Sequence, residues 1–340
     1  MRIQHTRRVS RRRFLGGMAL AGTAGLLGLS TGRVAAEPPP ETTRLRLVRN
    51  PALCVAAEYV AEELLLGEGF TEVQYIEQQT DAEKVPALVA GEVDITQVFS
   101  GPFLLRVEAG DPLVLLAGVH VGCFELFGTE RVRAIRDLKG KSVAVPKLGG
   151  SQHVFLASMV AYVGLDPAKD ITWVTSPPAE AIQLLADGKI DAFLGFPPQP
   201  YELREKGFGH VVVNSTLDQP WSHYFCCMMA GNRAFVRTNP VATKRALRAI
   251  LKAADMCARE PERAARVLVD KGYTTRYDYA LQTMQDVPYD KWREYDPEDT
   301  VRFYTLHLHE AGMLKSSPQK PIAQGTDWRF LQEFKKELKG

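Results

Sequence analysis

The chain has 340 residues, 45% of them hydrophobic and 24% charged, enough to bury one large core or two. Its formal charge of +2 comes from the first 36 residues, which hold seven arginines and no acidic residue; the remainder has 35 basic against 40 acidic side chains, a charge of −5. That balance excludes the basic footprint of a nucleic-acid-binding protein. The five cysteines (Cys54, Cys123, Cys226, Cys227 and Cys257) have no Cys-x-x-Cys spacing. The sequence therefore predicts neither a disulfide framework nor a metal site, and the odd count leaves at least one thiol unpaired within the chain.

The first 36 residues combine a basic start, a Gly/Ala-rich apolar stretch and a small-residue end, the layout of an export signal. Ser10-Arg11-Arg12-Arg13-Phe14-Leu15 resembles the twin-arginine export pattern. Val34-Ala35-Ala36 supplies a cleavage site, so a mature periplasmic chain is expected to begin near Glu37. No later stretch is long and apolar enough to span a bilayer.

From residue 45 onward, short β-branched runs alternate with amphipathic stretches. LRLVRN reads as a strand, VAAEYVAEELLLGEG as a helix, VQYIEQ as a strand and DAEKVPALVAGE as a helix. This alternation predicts an α/β fold. The segment ALVAGEVDITQVFSGPF, from Ala87, then has a near-duplicate in QLLADGKIDAFLGFPPQ, from Gln183. In register, Gly91-Glu92-Val93-Asp94 lies over Gly188-Lys189-Ile190-Asp191, and Phe99-Ser100-Gly101 over Phe196-Pro197-Pro198. A duplication at this distance predicts two similar lobes. Ligands of open α/β sheets bind beyond the carboxyl ends of the strands, so Phe99, Ser100, Gly101, Phe196 and Pro197 become candidate cleft residues.

Between the copies, LVLLAGVHVGCFELFGTE runs extended from Leu113 to Glu130. His120, Phe124 and Glu125 within it are candidate ligand contacts at the crossing between lobes, while a metal role for His120, Cys123 and Glu125 finds no matching spacing elsewhere. SVAVP and QHVFLASMVAYVG then flank Lys147-Leu148-Gly149-Gly150-Ser151-Gln152. A strand followed by Gly-Gly-Ser at a helix start offers backbone N–H groups to an anion, and equally fits a simple Ser cap. Farther on, WSHYFCCMMAGN contributes Trp221 and Tyr224 to the predicted cleft and reads as a buried return strand. Strand alternation puts Cys226 and Cys227 on opposite faces, where both behave as small apolar side chains rather than as ligands of one metal. The helix of NPVATKRALRAILKAADMCA carries a one-sided apolar stripe, and DWRFLQEFKKEL reads as a packed C-terminal helix.

The order of GEVDITQV, DLKGKSVAVPKLGGSQH, GKIDAFLG and NRAFVRTNPVATKRALRAILKAADMCAREPERA resembles the solute-binding receptors of ABC importers for nitrate, sulfonate, taurine and thiamine precursors. The resemblance covers essentially all of the chain after the signal. It implies a two-lobe periplasmic binding protein of type II, each lobe a wound, mostly parallel sheet flanked by helices. Lobe one would comprise 42–122 and 229–340 and lobe two 138–222, with 123–137 and 223–228 as hinges. It also implies that the family's first cleft loop falls on Asn50-Pro51, its second on Phe99-Ser100-Gly101 and its anion-holding loop on Gly149-Gly150-Ser151-Gln152. The expected activity is capture of a small organic anion by hinge closure and delivery to a membrane ABC permease, by a monomer without catalytic residue, cofactor or metal. Two other roles share the fold. One is a sensor subunit for a membrane kinase. The other is a thiamine-pyrimidine synthase built on a cysteine-rich run, of which only Phe225-Cys226-Cys227 is similar here.

Overall fold

A computed structural model describes residues 37–339 apart from Gln79; the expectations of an export signal and its cleavage fall on residues 1–36, outside the described residues. In chain order the strands are β1 (Arg44–Arg49), β2 (Glu72–Glu77), β3 (Ile95–Phe99), β4 (Leu113–Val121), β5 (Glu125–Gly128), β6 (Lys141–Val145), β7 (Ile171–Thr175), β8 (Ala192–Gly195), β9 (His210–Asn214) and β10 (Phe225–Asn232). One lobe is built on the parallel pair β1–β2 and the three-stranded sheet β3–β10–β4, the other on the sheet β7–β6–β8–β5–β9. The sheets are mixed rather than mostly parallel: β10 runs antiparallel to β3 and β4, and β5 antiparallel to β8 and β9. Each of these two strands follows a crossing from the other lobe, so the chain enters the sheet from the opposite end. β5 already belongs to the second sheet, and the first crossing is therefore Gly122–Phe124, shorter than the expected 123–137.

The duplicated Gly-x-x-Asp segment performs the same task in both lobes. Gly91 and Gly188 end their helices with φ of +70° and +66°, a region open to glycine without a Cβ penalty. Asp94 then exchanges bonds with β1: its N–H donates to the Arg46 carbonyl at 3.0 Å, and its carboxylate accepts the Arg46 N–H at 2.8 Å. Asp191 does the same with Ser142 on β6, at 2.8 and 2.9 Å. The Asp94 carbonyl accepts the N–H of Asn232 at the end of β10, and the Asp191 carbonyl that of Thr129 just after β5, both at 2.9 Å. Arginines complete the match, Arg46 on Asp94 at 2.6 Å and Arg131 on Asp191 at 2.7 Å. One aspartate thus ties the first strand of each lobe to its return strand. Setting β1 beside β3 through Asp94 gives lobe one the order β2–β1–β3–β10–β4, the counterpart of β7–β6–β8–β5–β9.

A second polar post stands inside lobe one. Glu58, from the short helix Ala56–Val60, is 1% exposed and accepts the N–H of Val48 at 3.1 Å, the N–H of Gln97 at 2.8 Å and the Thr96 hydroxyl at 2.9 Å. It joins β1, β3 and the helix in one network. Burial pushes its carboxyl up to about 7, against the pull of buried Lys84 and of these donors.

The helix Pro240–Arg259 covers the lobe-one sheet with Ala246, Leu247, Ile250, Leu251, Ala254 and Cys257, all buried at helical spacing. Its first turn is closed from outside by Glu41, whose carboxylate accepts the N–H groups of Val241 and Ala242 at 3.0 and 2.9 Å. The β4–β10 contact depends on Gly118, where a Cβ would lie 2.4 Å from the Phe225 ring. Gly118→Ala is expected to cost about 3 kcal/mol of stability by overpacking, with part recovered in Gly118→Ala/Phe225→Ala. Urea midpoints of both variants against the parent check it. An unchanged midpoint for the single variant would mean that the ring does not sit on the glycine.

Candidate functional site

The carboxyl ends of β1, β2, β6, β7 and β8 converge on one cavity of about 340 Å³ between the lobes. Asn50, Pro51 and Ala52 follow β1, Thr80 and Ala82 follow β2, Pro146 and Lys147 follow β6, Pro177 and Pro178 follow β7, and Phe196 and Pro198 follow β8. The prolines leave few backbone donors on the wall, which concentrates polarity in a small number of groups. Asn50 is positioned by Tyr59, whose hydroxyl meets the Asn50 backbone N–H and carbonyl at 3.0 Å each. Gly150 is the cap of the 12-residue helix Ser151–Tyr162, so Ser151 lies inside the helix and is not its cap. Gln152, 5% exposed, projects into the cavity from the first turn of that helix, whose N-terminus carries positive partial charge. Among the described residues, Lys147 is the only lysine or arginine on the lining, exposed at its rim, and it makes no ion pair, whereas the lining carboxylate Glu202 is held by Lys206 at 2.6 Å.

Of the residues singled out from sequence, Asn50, Pro51, Gly150, Gln152 and Phe196 share this cavity. Gly150 also lets the lobes approach, because a Cβ there would lie 3.3 Å from Ala82 of the opposite lobe. Pro197 is beside the cavity; its carbonyl accepts the Leu53 N–H at 3.0 Å, a direct bond between lobes. Gly149 is exposed, donating its N–H to Nδ1 of His153 at 3.1 Å, and Ser151 is buried behind the lining. Phe99, Phe124 and Phe196 form an aromatic chain, with centroids 5.5 Å apart for the first pair and 5.6 Å for the second, and Phe155 and Tyr304 lie against Phe99. Ser100 and Gly101 are buried in lobe one, where a Gly101 Cβ would strike Phe99 and Val154 at 2.7 Å. Glu125 does not reach the cavity. It is paired with Arg204, and burial raises its pKa against the pull of that arginine. Trp221 packs on Tyr162, and Tyr224 stacks on Phe303 at 3.8 Å, both outside the cleft lining.

The sequence reading passed over Thr80, Pro146, Pro177, Pro178, Ala179 and Gln199. Applying the strand-end rule to β6 and β7, and not only to the duplicated segment, reaches Pro146 and Pro177. A larger groove of about 720 Å³ lies elsewhere, lined by Tyr201, Arg204, Asp278, Tyr279 and Asp286. Its arginine is already engaged by Glu125 and its carboxylates oppose an anion, so the inter-lobe cavity is the better candidate.

Beneath the cavity the cysteines are buried, as expected, but four of them are gathered rather than scattered. Cys54, Cys123, Cys226 and Cys227 line a small void with Phe99, Phe124 and Phe196, and the sulfurs of Cys123 and Cys226 are 3.1 Å apart. A ring nitrogen of His120 lies within 4.8 Å of the Cys54 and Cys123 sulfurs, and likewise of the Cys226 and Cys227 sulfurs. Strand alternation fails here because β10 is irregular: Phe225 pairs with Val121 and Cys227 with His120, so two steps on β10 match one on β4. The bulge brings both adjacent sulfurs to one side. Hydrogen bonds from Cys123, Cys226 and Cys54 hold the Cys227 thiol well below its ordinary value, while burial pushes Cys123 and Cys226 up.

The profile of the NMT1-like family matches residues 39–269. An Escherichia coli putative aliphatic sulfonates-binding protein is 28% identical over 209 residues, 59% of this chain and 64% of that one, so the match spans less than two thirds of that relative. The nitrate/nitrite binding protein NrtA of a Nostoc species is 21% identical over 314 residues, 78% of this chain and 71% of that one. Among solved structures, the periplasmic nitrate-binding protein NrtA from Synechocystis PCC 6803 superposes with a TM-score of 0.70 at 18% identity, covering 88% of this chain and 90% of that one. That likeness establishes the two-lobe periplasmic binding protein fold.

Proposed function

The chain belongs to the NMT1-like family, and we propose on that premise that it is an exported receptor, which captures a small organic anion in the inter-lobe cavity and delivers it to a membrane ABC importer. The observation that carries this reading is the polarity of the cavity: Lys147, with no ion pair among the described residues, and Gln152 and Gly150 at a helix start, face Asn50 of the other lobe across a proline-rich wall. A carboxylate or sulfonate would meet the helix N-terminus and the lysine, and an apolar or aromatic body would lie against Phe196 and the prolines. Closure follows from a ligand that touches both lobes, with Gly122–Phe124 and the segment before β10 as the hinges. The protein acts as a periplasmic monomer in this reading, and the relatives named above are binding proteins rather than enzymes.

Thermal unfolding of protein stripped of carried-over ligand, screened against sulfonates, nitrate, aromatic carboxylates and pyrimidines, tests the proposal. A ligand at about 100 times its Kd adds about 2.7 kcal/mol, a clear rise in Tm. The expected result is a rise with one anion class. A rise with neutral or cationic compounds alone would sink the anion assignment.

A further inference from the structure

The cysteine and histidine cluster under the cleft is not used by solute capture, and its composition is specific. Four of the five cysteines and one of the seven histidines come together from three distant parts of the chain. Cys54 follows the first cleft loop, Cys123 stands in the first crossing, and Cys226 and Cys227 open the return strand. Among the described residues, Cys123 is the one non-glycine with positive φ, at +151°, and it follows Gly122 at +56°.

His120 supplies an independent observation. The ring is fully buried, and its Nδ1 meets the Gly122 carbonyl at 3.0 Å. A carbonyl only accepts, so Nδ1 carries the proton and Nε2 presents a lone pair. That Nε2 is buried with no hydrogen-bond partner among the described residues. A buried lone pair without a partner is costly, and four cysteine sulfurs lie within 4.8 Å of a nitrogen of this ring, in two groups of two. An imidazole whose far nitrogen is fixed by a carbonyl is the usual arrangement of a metal-ligating histidine.

We propose that His120, Cys54, Cys123, Cys226 and Cys227 form a binding site for one thiophilic d10 cation, zinc or copper(I), beneath the floor of the cleft. Thiolate and imidazole donors select such cations over magnesium or calcium. In a tetrahedral site with metal–sulfur bonds of about 2.3 Å, ligand sulfurs lie about 3.8 Å apart, so the 3.1 Å contact of Cys123 and Cys226 opens by less than an ångström. Each coordinating thiol releases its proton to solvent as the metal–sulfur bond forms. For zinc, His120 and three thiolates fill the tetrahedral shell, and the fourth thiol donates a hydrogen bond to one of them. Ala52 and Phe196 line both the cleft and the void over the sulfurs, which makes the cleft the entry path. A cation there ties the first crossing, through Cys123, to lobe one.

The test uses the chain expressed at full length, purified anaerobically with its thiols reduced and free of chelator, and titrated separately with zinc(II), copper(I) and the probe cobalt(II). The expected result is tight uptake of one cation per chain, protected thiols, and a thiolate-to-cobalt charge-transfer band. His120→Ala is expected to weaken binding at least ~10-fold, and Cys226→Ser/Cys227→Ser to abolish the band, with circular dichroism confirming that each variant is folded. The wild-type titration stands even where a variant misfolds. No uptake by reduced wild-type protein would overturn the proposal. So would uptake unchanged in the variants, or a Cys123–Cys226 disulfide formed in the producing cell that leaves no metal-binding capacity.

Discussion

Glu58→Ala is expected to lower stability by about 3–5 kcal/mol, a large share of the 5–15 kcal/mol that holds a domain together. The loss has two parts. The N–H groups of Val48 and Gln97 and the Thr96 hydroxyl all donate to this one carboxyl, and each buried donor left without an acceptor costs about 1–3 kcal/mol. Buried Lys84 also loses its neighbouring carboxylate. The same group sets a pH dependence. Its native carboxyl titrates near 7, above its ordinary 4.5, so between those values the native state holds a proton that the unfolded chain releases. Unfolding free energy therefore falls as pH rises from about 4.5 to about 7, by about 3 kcal/mol at most, and is level in this respect above that range. Urea titrations at pH 5, 6 and 7 should show the decline in the parent and a flatter profile in Glu58→Gln. An equal slope in both would assign the dependence to other groups.

Gln152→Glu is expected to weaken anion binding by ~100-fold, about 2.7 kcal/mol, with little change in stability. The position is 5% exposed in the cavity wall, so an added carboxylate there is poorly screened from a bound anion. The variant should still fold, because a carboxylate in the first turn of the helix Ser151–Tyr162 is favoured by the helix dipole. Gln152→Leu separates charge from hydrogen bonding: it removes the amide without adding repulsion, and a loss of only ~10-fold is expected. Calorimetric titration with the anion found by thermal screening checks both. Binding that strengthens in Gln152→Glu would show that the cavity holds a cationic group at this wall, and the proposed ligand class would fall.

The residues of the site differ in how far local chemistry foretells them. Asn50, Pro51, Gly150 and Phe196 follow strand ends, and the rule that α/β ligands lie there needs only the element boundaries. Ser100 and Gly101 also follow a strand end, yet packing of Phe99 and Val154 draws them into the core. Glu125 reads as a cleft carboxylate until the fold brings Arg204 beside it from a helix remote in sequence. Pairing of that kind has no local signal. Tyr224 and Trp221 belong to the right segment, but stacking of Tyr224 on Phe303 and edge-on packing of Trp221 with Tyr162 hold both rings outside the cleft.

The α/β class and the duplication were legible in the sequence, because periodicity and the Gly-x-x-Asp spacing act over a few residues; the brace that Asp94 and Asp191 make to strands 48 and 49 residues away emerged only on folding. The antiparallel return strands and the gathering of four cysteines around His120 were decided only by tertiary structure. A strand's direction depends on which lobe the chain has just left. The two adjacent thiols share a side because β10 must bulge against β4, a constraint imposed by the partner strand and invisible in Phe225-Cys226-Cys227 alone.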